Sequence, residues 1–133
     1  MGMIKLPETS IEYFKENIDE IFKSGKLAEG QWNKRLEGFV NNLTGSQIAI
    51  STNSNGSGLV ALLCVFRYYY NRNLVMIQSN TMYGVKTMVP TGGCSLVGYI
   101  NCQLETLMPS IQDVKNAIGS LGQKEKDKLV ILL

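Results

Sequence analysis

Asn53-Ser54-Asn55-Gly56-Ser57-Gly58 stands between two apolar segments. Ahead of it, Gln47-Ile48-Ala49-Ile50-Ser51 is short and β-branched, which predicts a strand over Ile48–Ser51. Behind it, Leu59-Val60-Ala61-Leu62-Leu63-Cys64-Val65-Phe66 is apolar and of helical length, within a helix predicted over Ser57–Tyr70. A strand that ends in small polar residues and glycine, then opens a helix, makes an anion site. The first amides of the helix lack intrahelical partners, the helix dipole favours negative charge there, and glycine lets a phosphate approach the backbone.

Working outward, the downstream sequence alternates. Leu74–Ile77 and Leu96–Ile100 read as strands, each followed by a helix, Tyr83–Thr91 and Ser110–Ile118 respectively. Ser110-Ile111-Gln112-Asp113 has the form of a helix cap, Lys124-Glu125-Lys126-Asp127-Lys128 reads as a solvated loop, and Lys128–Leu133 reads as a last strand. Strands alternating with helices predict an α/β fold, three layers deep with a mainly parallel sheet. Leu129-Val130-Ile131-Leu132-Leu133 has the apolar continuity of a buried central strand, and this patterning predicts a chain cut off mid-domain.

Upstream, residues 1–45 form a helical segment and residues 46–133 the β/α part of one α/β domain. Thr9-Ser10-Ile11-Glu12 has the form of a capping box, Ile11, Phe14, Ile18, Ile21 and Phe22 keep a helical spacing, and Gly25 ends that helix. A second helix is predicted from Gln31, with Trp32, Leu36, Phe39, Val40 and Leu43 on one face and Gly45 as its stop. Both helices are amphipathic and require a surface to cover them.

Bulk properties narrow the function. With 133 residues, 44% hydrophobic and 18% charged, the chain is an ordinary globular one rather than a disordered one. A net charge of +2 without a clustered basic patch does not suggest nucleic-acid binding. The longest apolar run, Leu59–Phe66, is too short to span a bilayer, and Met1-Gly2-Met3-Ile4-Lys5-Leu6-Pro7-Glu8 lacks the apolar core of a leader, so a cytoplasmic protein is expected. The chain has no histidine, which removes the commonest general base and zinc ligand. Cys64, Cys94 and Cys102 lack metal-type spacing and read as core residues.

Gly56-Ser57-Gly58-Leu59-Val60-Ala61 fits the spacing of a dinucleotide-binding turn. The next strand, however, ends Met76-Ile77-Gln78-Ser79-Asn80 without the carboxylate that would bind the ribose hydroxyls. A Walker loop is excluded, because no Gly-Lys-Ser/Thr follows. A strand-to-helix turn without any ligand is the plain alternative.

The order of these motifs resembles the DegT/StrS-type nucleotide-sugar aminotransferases, pyridoxal phosphate (PLP) enzymes of the aspartate-aminotransferase fold. Ser24-Gly25-Lys26-Leu27-Ala28-Glu29-Gly30, with Leu36-Glu37-Gly38-Phe39 after it, is similar to the family's opening segment. Asn53 through Leu62 resembles its cofactor-phosphate turn, with Ser57 in place of the usual threonine, and Leu74 through Met82 resembles its next strand and loop. Gly93 with the following strand, and Met108-Pro109-Ser110 through Ile118, resemble two later segments, so the likeness covers essentially the whole chain.

The resemblance implies the N-terminal part of a PLP-transferase large domain. It implies a cofactor phosphate held by the turn at Asn55, Gly56 and Ser57, with Met82 and Tyr83 beside the pyridine ring. Met82 replaces the family's aromatic ring, and Val97-Gly98-Tyr99-Ile100-Asn101 lacks the family's acidic residue, so two local features depart from the pattern. Lys26 and Trp32 fall in a segment that in the family approaches the partner subunit's active site, with solvated lysine and core tryptophan as the plain readings. The parent reaction would move an amino group from an amino acid to a keto-sugar nucleotide, in a homodimer. None of the lysines present matches the family's Schiff-base motif, so this chain alone is expected to be inactive as a transaminase. A related dehydratase branch is not separated from the aminotransferases by these residues. The alternative is a non-catalytic α/β module that binds a phosphate ligand or self-assembles, since two amphipathic helices and an open sheet edge favour association.

Overall fold

A computed structural model describes residues 4–133, so the N-terminal reading of Met1–Met3 lies outside the described residues. The chain divides into two compact units, one ending at Ser51 and the other running from Thr52 to Leu133.

The first unit holds α1 (Glu8–Ser24) and α2 (Gln31–Thr44). Pro7, with φ −58°, stands at the N-cap and lets α1 begin at Glu8. Thr9 therefore lies inside the first turn, and the expected capping box at Thr9 does not form. Gly25 ends α1 in the left-handed conformation (φ 67°), its amide donating to the Phe22 carbonyl. Gly45 ends α2 in the same way at φ 71°. Tyr13 meets Trp32 edge-on at 6.0 Å, and the Arg35 guanidinium lies 4.4 Å from the Trp32 ring centroid. Phe14, Phe22, Leu36 and Phe39 are all more than half exposed, and neither helix contains a buried residue.

The strand expected over Ile48–Ser51 is not formed. The segment has no ladder partner, Ile48 and Ile50 are 75% and 79% exposed, and Ser51 is fastened to α2 instead. Its amide and its hydroxyl both donate to Glu37 Oε1 at 2.8 Å, and Asn33 Nδ2 donates to Ser51 Oγ at 3.2 Å. The Ser51 amide, then its hydroxyl, hold the Glu37 carboxyl below its ordinary value, with Lys34 adding a smaller effect. Because the folded value is depressed, this anchorage is complete above the usual carboxylate range and is lost as pH falls through the lower folded value. The Ser51 amide resonance is expected to titrate in NMR with a midpoint below 4.5, the ordinary value for glutamate. Glu37→Gln is expected to abolish that titration, and a midpoint at or above 4.5 would show that the contact does not persist in solution.

The second unit contains α3 (Asn55–Tyr70), β1 (Leu74–Gln78), α4 (Tyr83–Thr91), β2 (Ser95–Ile100), α5 (Ile111–Gly119), α6 (Gln123–Lys126) and β3 (Leu129–Leu132). The strands form a parallel sheet in the order β2-β1-β3. This is the α/β architecture expected, with helices on both faces. Val75 and Ile77 of β1, with Val130 of β3, point to one face and pack with Leu63 of α3 and Val89 of α4. Met76 and Leu129 point to the other face, among Val114, Ala117 and Ile118 of α5. β3 lies at the sheet edge rather than at its centre, because β1 is the strand flanked on both sides. Lys124–Lys126, expected in a loop, fall in the single turn of α6.

A bulge sets the parity of β2. Val75 pairs with Leu96, but Met76 pairs with Gly98, so Val97 is an extra residue in the ladder. Leu96 packs on the α3–α4 face, whereas Ile100 joins Met76 on the α5 face. In an unbroken strand these two residues, four apart, would share one face. Ser110 caps α5: its Oγ accepts from the Asp113 amide at 3.2 Å, and its own amide donates to Asp113 Oδ2 at 2.8 Å. Of the three cysteines, Cys94 is buried, and burial pushes its thiol pKa up, while Cys64 and Cys102 are half-buried. Among the described residues no helix is long and apolar enough to cross a membrane.

Candidate functional site

The start of α3 is shaped by three small side chains. Ser54, extended at the N-cap, accepts from the Ser57 amide at 3.1 Å, and its hydroxyl lies 2.9 Å from Ser57 Oγ. The Ser54 carbonyl accepts from the Gly58 amide at 3.2 Å and from Thr52 Oγ1 at 2.9 Å. The amides of Asn55 and Gly56 are left without a partner among the described residues. Two unpaired donors, two hydroxyls and the positive end of a sixteen-residue helix are therefore gathered at one point.

Two concavities flank this turn. One, about 560 Å³, is lined by Thr52, Asn55, Leu59, Thr81, Val85 and Leu132 among others. It lies beside the C-terminal end of β3, where open parallel sheets place their ligands. The other, about 440 Å³ and shallower, is lined by Ser54, Gly56, Ser57, Met88 and Thr91 among others. Met88 is close enough to Gly56 that a Cβ added there would lie 3.0 Å from its terminal methyl.

The residues singled out in the sequence are placed as follows. Asn55, Gly56 and Ser57 form the first turn of α3, with Asn55 facing the larger concavity and the other two the smaller. Met82 is the N-cap of α4 and Tyr83 its first residue, 78% and 76% exposed, and neither lines either concavity. Their neighbours Thr81 and Val85 do reach the larger one. Lys86 Nζ stands 6.0 Å from the ring centroids of both Tyr83 and Tyr99. Sequence reasoning missed Thr52, Thr81 and Met88. The small residues Gly56 and Gly58 signal a close neighbour, but only the docking of α4 on α3 reveals that Met88 is one of them.

A scan against family models matches residues 8–125, from the first residue of α1 into α6. The chain belongs to the DegT/DnrJ/EryC1/StrS aminotransferase family. Neither a search of curated proteins nor a search of solved structures finds a match. The strand that follows the turn, β1, ends without the carboxylate that a dinucleotide-binding turn at Gly56-Ser57-Gly58 would require.

The site fits the phosphate end of PLP, the cofactor of this family's aminotransferases. A phosphate needs several convergent donors, and the Asn55 and Gly56 amides are unpaired. The Ser57 amide is not free in this state, because Ser54 Oγ occupies it. A rotation of the Ser54 side chain would release that amide. Exchanging a neutral hydroxyl for a charged phosphate oxygen replaces one hydrogen bond by another roughly twice as strong.

Proposed function

We propose that this DegT-type chain holds the phosphate of PLP at the first turn of α3 and serves a transaminase acting on keto-sugar nucleotides. The observation that carries the reading is the pair of unpartnered amides, Asn55 and Gly56, next to the Ser57 hydroxyl and beside a cavity at the sheet's C-terminal edge. Bound PLP supplies the electron sink for amino transfer. The chain's own residues bind and orient: the Asn55 and Gly56 amides with Ser57 fix the phosphate, Thr81 borders the space beyond it, and Met82 and Tyr83 stand at the start of α4. Their exposure leaves them available to move over the pyridine ring.

Homodimerisation belongs to the same proposal. Leu59–Phe66 of α3 is an unbroken apolar run, and within it Leu62 and Val65 are 58% and 43% exposed. A helix of that kind needs cover. The same surface supports the second reading, a non-catalytic self-assembling module.

Thermal stabilisation separates the two readings. Pyridoxamine phosphate, which has no aldehyde to react with stray lysines, is expected to raise Tm beyond the shift given by inorganic phosphate or NAD at equal concentration. No shift, in a chain that still melts cooperatively, would overturn cofactor binding and favour the assembly module.

A further inference from the structure

Asn55-Gly56 is the one asparagine–glycine pair in the chain. Asn55 is exposed, and its side chain has no hydrogen-bond partner among the described residues. The Gly56 nitrogen is equally unengaged, and glycine carries no Cβ to shield it. Asn53 shares the unengaged side chain and following amide, but its neighbour Ser54 carries a Cβ, and several other asparagines are held by hydrogen bonds. The amides following Asn71, Asn73 and Asn101 each donate a hydrogen bond, to Phe66 O, Lys128 O and Ser79 Oγ. The Asn17 side chain is held by the Tyr13 carbonyl, and Asn33 by contacts to Gly30 and Ser51.

We infer that Asn55 is a self-modification site, converted by its own backbone into aspartate and isoaspartate. The Gly56 nitrogen attacks Cγ of Asn55, the N–Cγ bond forms, the Cγ–Nδ2 bond breaks, and ammonia leaves with the Gly56 amide proton. Water then opens the five-membered imide at either carbonyl, so the net change is gain of water and loss of ammonia. No oxidant, metal or enzyme is required. The product carboxylate sits at the positive end of α3, where a negative charge is favourable, so the aged chain stays folded. That carboxylate also places a negative charge beside the amides that would take the phosphate, a consequence that rests on the phosphate-turn reading above. Deamidation would thus convert a cofactor-binding turn into one that repels the phosphate, and bound cofactor would shield the turn from it.

The test is incubation of the full chain in mildly alkaline buffer, with and without pyridoxamine phosphate, followed by peptide mass mapping and isoaspartate detection. Asn55 is expected to convert ahead of every other asparagine, several-fold more slowly with pyridoxamine phosphate. The aged chain is expected to melt as before and to bind pyridoxamine phosphate about tenfold more weakly, the scale of one lost charge-assisted contact. Faster conversion at Asn53 or Asn80 would overturn the site assignment. Conversion at Asn55 that pyridoxamine phosphate does not slow would uphold the modification and overturn the phosphate-turn reading. Asn55→Gln should remove the signal while leaving the melting transition in place, and persistence of the signal would also overturn the assignment.

Discussion

Leu63→Ala is expected to cost the unit from Thr52 to Leu133 about 3 kcal/mol, within the range for emptying a fully buried leucine site. Leu63 is 0% exposed and belongs to the cluster formed by Val75, Ile77 and Val89, so its side chain joins α3 to the sheet and to α4. The void would not refill from the backbone side. Gly92 already lies so close that a Cβ built on it would come within 2.7 Å of Leu63 Cβ. Partial collapse is thus left to the strand side chains, which are themselves held by the ladder. Against a typical total stability of about 5–15 kcal/mol, such a loss is large. Urea denaturation followed by far-ultraviolet circular dichroism measures it, and a change under about 1 kcal/mol would show that this cluster is not the core of the unit.

Gly56→Asp separates binding from folding. A carboxylate in the first turn of α3 interacts favourably with the helix dipole by about 0.3–1 kcal/mol, and its nearest obstacle is the flexible end of Met88, so Tm should hold or rise slightly. The same charge would face the phosphate and displace it from the Asn55 and Gly56 amides. Affinity for pyridoxamine phosphate should then fall by about 3 kcal/mol, on the order of a hundredfold. Isothermal titration calorimetry beside a melting curve gives both quantities. Unchanged affinity in a stable variant would move the phosphate away from this turn.

What the sequence disclosed followed from local chemistry. Tyr83–Thr91 emerged as a helix with both ends as expected, Leu74–Ile77 emerged as a strand, and Gly25 and Gly45 ended their helices, because periodicity and left-handed glycine act over a few residues. Ile48–Ser51 failed because a β-branched run becomes a strand only against a partner, and Ser51 is held by Glu37 on the preceding helix instead. The extra residue Val97 was equally hidden, since register is a property of two strands and not of one. At the site, the polar turn announced a helix start and its unpaired amides. The Ser54 cap that occupies the Ser57 amide, and Met88 over Gly56, depend on rotamers and on helix docking that a linear pattern does not encode.

Trp32 is the chain's single tryptophan, and it sits in the unit that ends at Ser51, edge-on to Tyr13. Five of the six tyrosines, at positions 68, 69, 70, 83 and 99, belong to the other unit. The chain therefore carries a built-in pair of optical reporters. Selective excitation of the indole follows the α1–α2 unit, and tyrosine emission is weighted toward the α/β unit. Coincident melting in the two channels would identify one cooperative molecule, and separate midpoints would identify two.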